Sequence, residues 1–293
     1  MTAASSGIWV VAERPGRLDE LVRIDPATNR IAKRVQIGLV GGAVAVGAGA
    51  VWVLNGSGAC VEYHCTTEFP PAGPGFPEEN SVYRIDLNSG RVGARIALDA
   101  PGAIIVGEGA VWVAGSRKLY RIDPRRNRVT ATIALPSEGP YGPYLIPAFG
   151  AGSLWVCGSA PGQPSSTVVY RINPSNNAVV ATINIATGPC GAITVAGNAL
   201  WVVPSGESRT VMQIDPLSNR VARELPYSST SVARSIAVVG RDIWLDTDTG
   251  LLRLDQETGV VEQRSSVSGV VAADSSGIWV GTSSGEILRF PTT

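Results

Sequence analysis

A single tryptophan between two apolar residues recurs along the chain, and this repeat limits the possible fold more than any other feature. Most units span roughly 40 to 45 residues, the length of a four-stranded propeller blade, with one long unit before Trp112 and a short one before Trp279. The repeat predicts an all-β fold, a seven-bladed β-propeller of mostly four-stranded antiparallel blades, as a single domain over residues 1–293. Each blade is centred on one of the chain's seven tryptophans, Trp9, Trp52, Trp112, Trp155, Trp201, Trp244 and Trp279.

Each repeat contains strand patterns in the same order, most clearly in the third unit, where we predict strands at 103–106, 110–114, 118–123 and 128–135. The third strand ends in a phrase such as Arg121-Ile122-Asp123-Pro124. Asp or Asn binds nearby backbone N–H groups, and a following Asn or Gly takes the left-handed conformation of a tight turn. These residues therefore have a structural role, and the tryptophans are expected to fill the gap between adjacent sheets.

Charge and hydropathy exclude several classes of partner. The formal net charge is zero, so the chain lacks the basic surface expected of a protein that binds nucleic acid or anionic membranes. No apolar run is long enough to cross a bilayer, and Met1–Ser6 is too short and polar for a signal peptide. We expect a monomer. The abrupt start and short last repeat predict a segment of a longer protein, or a seventh blade of three strands.

Four cysteines indicate the compartment. We predict two disulfides, Cys60–Cys65 and Cys157–Cys190, which favour an extracytoplasmic protein that is secreted, periplasmic or a membrane-tethered ectodomain. Metal binding by Cys60, Cys65 and His64 is the alternative, but no fourth ligand accompanies them and closed zinc patterns are not matched. We therefore predict no metal and no cofactor.

The connections between strands indicate where a ligand would bind. In a propeller blade, the loop entering the inner strand and the loop between the second and third strands lie on one face, which we call the loop face. These connections vary greatly, including 55–80 in blade two and 158–167 in blade four, whereas the turns on the opposite face are uniform. Variable loops on a regular scaffold are the usual place for binding.

Six residues on the loop face are predicted to contact a small-molecule or protein ligand. Glycine lies ten residues before most of the later tryptophans, but Arg234 takes this position in blade six and could hold an anion. The alternative is that Arg234 pairs with Asp246 or Asp248. Rigid aromatic residues in the long loops add contact area. The predicted ligand-binding residues are Phe69, Phe76, Tyr141, Tyr144, Arg234 and Asp246.

The segments 111–114, 119–124 and 128–133 resemble the seven-bladed propellers of the YVTN and streptogramin (virginiamycin B) lyase-like group. The likeness covers nearly the whole chain and implies the propeller fold, which serves enzymes, sensors and scaffolds alike. The lyases carry metal-binding glutamates three residues after several of these aromatic positions and a histidine before an inner strand. Here the positions three after each tryptophan lack a carboxylate; they are Ala12, Asn55, Gly115, Gly158, Pro204, Thr247 and Thr282.

The only histidine, His64, lies in the blade-two insertion, so we predict no catalytic residues and no lyase activity. We favour a non-catalytic extracytoplasmic domain for ligand or protein recognition or scaffolding, including the sensor ectodomain of a larger protein. The alternative is an enzyme of the lyase-like group that acts on a small molecule at the loop face.

Overall fold

The protein folds into seven antiparallel sheets and is a seven-bladed β-propeller, as the tryptophan repeat predicts. A computed structural model describes residues 1–12, 19–37, 42–55, 80–137, 145–185, 188–205, 208–229, 231–275 and 277–291. The regular elements within these ranges are strands. Across the described ranges there is no helix with the length and hydropathy to span a bilayer.

The internal contacts group into two compact units, Met1–Ala134 and Leu135–Thr293. Unit 1 contains blades one to three, each with four strands in meander order. Blade one comprises β1 (Thr2–Ala4), β2 (Gly7–Ala12), β3 (Glu20–Asp25) and β4 (Arg30–Gln36). Blade two comprises β5 (Val44–Gly47), β6 (Ala50–Asn55), β7 (Ser81–Asp86) and β8 (Val92–Ala97). Blade three comprises β9 (Pro101–Gly107), β10 (Ala110–Gly115), β11 (Lys118–Asp123) and β12 (Arg128–Ala134), close to the predicted bounds.

Unit 2 contains blades four to seven. Blade four comprises β13 (Ile146–Gly150), β14 (Ser153–Ala160), β15 (Gln163–Asn173) and β16 (Ala178–Ile185). Blade five comprises β17 (Cys190–Ala196), β18 (Ala199–Pro204), β19 (Thr210–Asp215) and β20 (Arg220–Pro226). Blade six comprises β21 (Ala233–Val239), β22 (Asp242–Thr247), β23 (Gly250–Asp255) and β24 (Val261–Ser265). In blade seven the described strands are β25 (Val270–Asp274), β26 (Gly277–Gly281) and β27 (Ile287–Pro291).

The tryptophans fill the space between neighbouring sheets. In unit 1, Trp9 packs among apolar side chains of β5, β6 and β7 in blade two. In unit 2, Trp155 and Trp201 each contact the sheet of the following blade, and Trp244 packs beside Phe290 with ring centroids 5.8 Å apart. Because these large rings are almost completely buried, each contributes a large apolar area to the core. The predicted structural role of the repeat is confirmed for these blades.

The turn between the third and fourth strands follows the predicted chemistry. In blade five the Asp215 carboxylate accepts the Leu217 N–H at 2.9 Å and the Ser218 hydroxyl at 2.7 Å, and Asn219 has φ = 55°. Positive φ recurs at each predicted position, namely Asn29, Gly90, Asn127, Asn177, Asn219 and Gly259. These Asp and Asn residues therefore build turns on the face opposite the loop face.

The turn between the first and second strands takes two forms in blades two to six. In blades two to four both central residues have positive φ, as at Ala48 and Gly49, which fits a type I′ hairpin turn. In these three blades the tryptophan indole donates to the carbonyl just before the turn, with N–O distances of 3.1 to 3.2 Å. In blades five and six only the first central residue, Gly197 or Gly240, has positive φ. There the indole nitrogens of Trp201 and Trp244 are buried without a hydrogen-bond partner.

The fourth strand of every four-stranded blade contains a β-bulge. The register shifts opposite the end of the third strand, for example between Arg171 and Ile172 of β15, so one residue of β16 is left over. Equivalent shifts occur in the other five such blades. A bulge twists an outer strand and interrupts the row of backbone groups that another strand could pair with.

One predicted connection is different in the structure. We expected 158–167 to be a loop, but β14 and β15 remain paired through Ser159 and Thr167, and a register shift lets Ala160 pair with Gln163. The connection is therefore the tight turn at Pro161–Gly162. The apolar and β-branched residues at 167–169 extend the hairpin, whereas the small polar residues at 163–166 gave a loop-like pattern.

Candidate functional site

The loop face of unit 2 is formed by the segments that enter the inner strands and the segments that join second and third strands. Adjacent strands are antiparallel, so both kinds of segment lie at the same end of each blade. The described parts are 135–137, 188–189, 227–229, 231–232 and 266–269 for the entering segments, and 161–162, 205, 208–209, 248–249 and 282–286 for the others.

A disulfide joins blades four and five at this face. Cys157 of β14 and Cys190 of β17 are bonded, with Cα atoms 6.0 Å apart, which confirms the predicted pair. Cys157 lies inside β14 and is fully buried. Cys60 and Cys65 lie outside the described residues, so their bond stays a prediction.

Hydrogen bonds from or to serine residues join the entering segments to the ends of the neighbouring strands. In blade four the Ser159 N–H donates to the Ser137 hydroxyl at 3.1 Å. In blade five the Ser205 N–H donates to the Pro189 carbonyl at 2.7 Å, and in blade six the hydroxyls of Ser231 and Thr249 are hydrogen-bonded. Sequence analysis missed these contacts, since isolated serines in loops carry no distinctive pattern.

Tyr227 and Arg209 form a polar cluster between blades five and six that sequence analysis also missed. The Arg209 side chain donates to the Ser229 carbonyl at 3.2 Å, and the Tyr227 N–H donates to the Arg209 carbonyl at 2.8 Å. The Tyr227 hydroxyl is buried and has no hydrogen-bond partner of good geometry. Burial raises the pKa of this hydroxyl, and the charge of Asp248 adds to the rise, whereas the Ala233 N–H and the charge of Arg209 lower it.

Asp246 lies at the end of β22 and is fully buried. Its Oδ1 accepts the Gly269 N–H of the next blade at 2.9 Å, and its Oδ2 has no partner. Burial raises the pKa of Asp246 above its ordinary value. The Gly269 N–H, the Ser268 hydroxyl and the Arg234 charge oppose this rise, and Asp248 adds to it. Asp246 is therefore a carboxyl group that retains its proton more readily than an exposed aspartate does.

Arg234 takes the position that glycine holds in blades five and seven. It is the unpaired residue of a register shift in β21, between Ala233, which pairs with Thr247, and Ser235, which pairs with Asp246. Its side chain is half-buried and its charge acts on Asp246. Among the described residues no carboxylate oxygen approaches it closely enough for a salt bridge, so the alternative pairing with Asp246 or Asp248 is not formed. Asp248 is exposed and accepts the Val232 N–H at 3.2 Å.

The structure thus brings Arg234 and Asp246 together, with Tyr227, Arg209 and Asp248 close by. The aromatic residues predicted to complete the site, Phe69, Phe76, Tyr141 and Tyr144, lie outside the described residues and stay predictions. Within the described ranges no three His, Cys, Asp or Glu side chains are grouped as a metal site would require.

Comparison with known proteins supports the fold and gives no family. No family model matches the chain, and no curated protein matches it. Among solved structures, the chain is similar to a chain of Kuenenia stuttgartiensis hydrazine synthase, with a TM-score of 0.70 and 15% sequence identity. The similarity covers 93% of this chain and 89% of the other. At this level of identity the likeness shows the propeller fold alone.

Proposed function

We propose that the chain is a recognition propeller that binds a small molecule or a protein partner at its loop face, outside the cytoplasm. The observation that carries this proposal is the contrast between the two ends of the blades. The turns at one end repeat the same Asx hydrogen bonds and positive-φ residue from blade to blade. The segments at the loop face of unit 2 differ in every blade, as expected where a scaffold carries binding residues.

Arg234 is the proposed anchor for the ligand. A half-buried guanidinium that is not paired with a carboxylate among the described residues can form charge-assisted hydrogen bonds with an anionic group. Asp246 is completely buried, so it influences the ligand through its charge interaction with Arg234. Tyr141 and Tyr144 are the proposed aromatic contacts of the same ligand, and Phe69 and Phe76 stay sequence predictions.

The disulfide supports the proposed location. Cys157–Cys190 joins two blades, and such structural disulfides persist mainly in oxidising compartments. A role as the sensor or scaffold ectodomain of a longer protein fits this location. The finer resemblance to the YVTN and streptogramin lyase-like group remains part of the proposal, and we expect no lyase activity because the aligned glutamates and histidine are replaced.

A thermal-shift screen with small carboxylates, phosphates and sulfates tests the proposal. We expect compounds that raise the melting temperature of the native protein to lose this effect in Arg234→Gly, which installs the residue that blades five and seven carry. A second variant, Arg234→Ala with Tyr144→Ala, should also lose binding with little change in its own melting temperature.

The matched control is Arg241→Ala, which removes an exposed arginine from the opposite end of the same blade, where it pairs with Glu257 at 3.0 Å. It should bind as the native protein does. Compounds that stabilise native protein and both Arg234 variants equally would show that Arg234 is not the anchor, and compounds that lose their effect only in Arg241→Ala would place the site on the opposite face.

A further inference from the structure

In unit 2, the same two sequence positions meet at each junction between neighbouring blades. The side chains at these positions differ in chemistry at the three junctions. The first position is two residues after the tryptophan, and holds Cys157, Val203 or Asp246 in blades four, five and six. The second is eleven residues before the next tryptophan, and holds Cys190, Ala233 or Ser268. The side chains at the first position, Cys157, Val203 and Asp246, are all completely buried within the second strands of their blades.

The contacts show that these positions are equivalent. Cys157 and Cys190 form the disulfide between blades four and five, and Val203 and Ala233 share one apolar cluster between blades five and six. Asp246 reaches the same part of blade seven, where it meets the Ser268 hydroxyl and accepts the Gly269 N–H. Asp246 is thus the carboxylate counterpart of the disulfide.

Gly269 lies closely against the second strand of its own blade. Its φ is +156°, and a Cβ atom there would lie 2.1 Å from the Gly281 carbonyl oxygen, so a side chain is not accommodated. The Ser268 hydroxyl donates to the Thr247 carbonyl at 3.1 Å, which gives a second bond between the same two blades. The Asp246 carboxylate, the Ser268 hydroxyl and the Gly269 amide therefore form one compact set of contacts between blades six and seven, which we call the seam.

We propose that Asp246 forms a pH-dependent contact between blades six and seven, which we call the latch. The latch is closed when the hydrogen bond from the Gly269 N–H to Asp246 is formed. The disulfide and the apolar pair hold their junctions regardless of pH near neutrality, whereas the carboxyl group can change charge. When it is neutral, Oδ1 accepts the Gly269 N–H without an ionic charge being buried. When it is ionised, a charge is buried where water does not reach it, so opening of the seam is favoured.

The direction of the pH dependence follows from the groups that face Asp246. Burial raises its pKa, and Asp248 on the β22–β23 turn adds to the rise. Arg234 on β21, with Ser268 and Gly269 before β25, lowers the pKa without cancelling the effect of burial. A pKa that is higher in the folded state contributes stability below the unfolded value, and this contribution is lost as the pH rises through the folded value. The latch is therefore closed in acid and loosens toward neutral pH.

Hydrogen exchange at matched pH tests the latch. The native protein and Asp246→Asn, which keeps the acceptor for Gly269 but cannot ionise, are compared from about pH 4 to about pH 8. We expect equal exchange in peptides covering 268–271 at the acid end. At the upper end the native protein should exchange about fivefold faster or more. Peptides covering 190–193, at the disulfide junction, should show no such difference.

Asp248→Asn is the matched control, because it removes an exposed carboxylate but leaves Asp246 able to ionise. It should keep the pH dependence and shift it to lower pH. Equal exchange of native protein and Asp246→Asn at every pH would overturn the proposal. Slower exchange of the native protein at high pH would also overturn it, because the ionised group would then be the closed form.

Two further measurements do not depend on the folding of Asp246→Asn. In the native protein, the Gly269 amide proton shift should titrate with a midpoint above about 4, the ordinary aspartate pKa; a midpoint at or below that value contradicts the latch. In Asp246→Cys with Ser268→Cys, peptide mapping should find a new 246–268 disulfide, as at 157–190. Failure of this bond to form under oxidising conditions would contradict the equivalence of the junctions.

Discussion

At the scale of single residues, arginines opposite the tryptophans do more than fill a strand position. Arg171 lies across from Trp155 in the sheet, and its guanidinium stacks on that indole 5.1 Å from the ring centroid. The same side chain donates to the Ser153 hydroxyl and to the Pro216 carbonyl of the next blade. One planar cation therefore joins a core ring to the turn of the neighbouring blade.

Arg171→Lys should lower the free energy of unfolding by roughly 1 to 3 kcal/mol, because an ammonium cannot both stack and form the forked contacts. Urea denaturation measures the change. The matched control is Arg220→Lys on the exposed outer strand of blade five, which should stay within about 0.5 kcal/mol of the native protein. An equal loss in both variants would mean that arginine has no special role at position 171.

At the scale of elements, the blades share one strand order. They differ in the contacts that join neighbouring blades and in the turns between their strands. The disulfide between β14 and β17 closes a loop of sequence separation 33, which restricts the unfolded chain. The Asx turns act locally, since they organise the hairpin between the third and fourth strands. The two contributions to stability can be measured separately, because reductant removes the disulfide and acid weakens the Asx turns.

Cys157→Ala with Cys190→Ala should cost about 3 to 4 kcal/mol of unfolding free energy, the amount expected from releasing a loop of this length. Urea unfolding with and without reductant measures it. Reduced native protein should lose most of this stability, and the double variant should respond to reductant much less than native protein does, because only the predicted Cys60–Cys65 bond is left to reduce. Equal midpoints for oxidised native protein and variant would contradict a stabilising disulfide.

The Asp215 turn should respond to acid in a defined direction. The Ser218 hydroxyl, the Leu217 N–H and the Ser218 N–H hold the pKa of Asp215 below its ordinary value. A lowered folded-state pKa gives stability above the unfolded pKa, and this stability is lost as the pH falls through the folded value. Ser218→Ala should therefore raise the pKa of Asp215, measured by carboxyl NMR, and lower stability only above the acid range. Leu217→Ala, which changes an exposed side chain in the same turn, should leave that pKa unchanged.

The repeat was sufficient to predict the blades because tryptophan spacing, alternating strands and Asx turns are all local signals. The register of Trp155 with Arg171 and the positive φ of Asn177 follow from them. The orphaned Oδ2 of Asp246 and the buried hydroxyl of Tyr227 could not be predicted, because both depend on how neighbouring blades pack. Arg234 was recognisable only because it replaces a repeated glycine.

At the scale of the whole molecule, the outer strands of blades one to six are poor templates for pairing with a second copy of the protein. Each described four-stranded blade ends in a strand with a bulge, and most of these strands also carry exposed charged residues. Both features discourage pairing between the edges of two sheets. Exposed valines on β16, such as Val180, are next to the bulge of that strand and so do not form a continuous edge.

The protein should therefore be a monomer in solution. Light scattering coupled to size-exclusion chromatography should give the mass of one chain across a wide concentration range. Replacing the charged Arg220 and Arg223 of β20 by threonine should leave that mass unchanged, because the bulge remains. A dimer in the native protein would show that another surface mediates association.

The placement of one tryptophan in every blade has a spectroscopic consequence. The indoles of Trp52, Trp112 and Trp155 donate to turn carbonyls, whereas those of Trp201 and Trp244 have no acceptor. Indole N–H resonances should consequently separate into distinct chemical-shift groups, with one probe for each blade. NMR can thus follow the opening of individual blades without any added label.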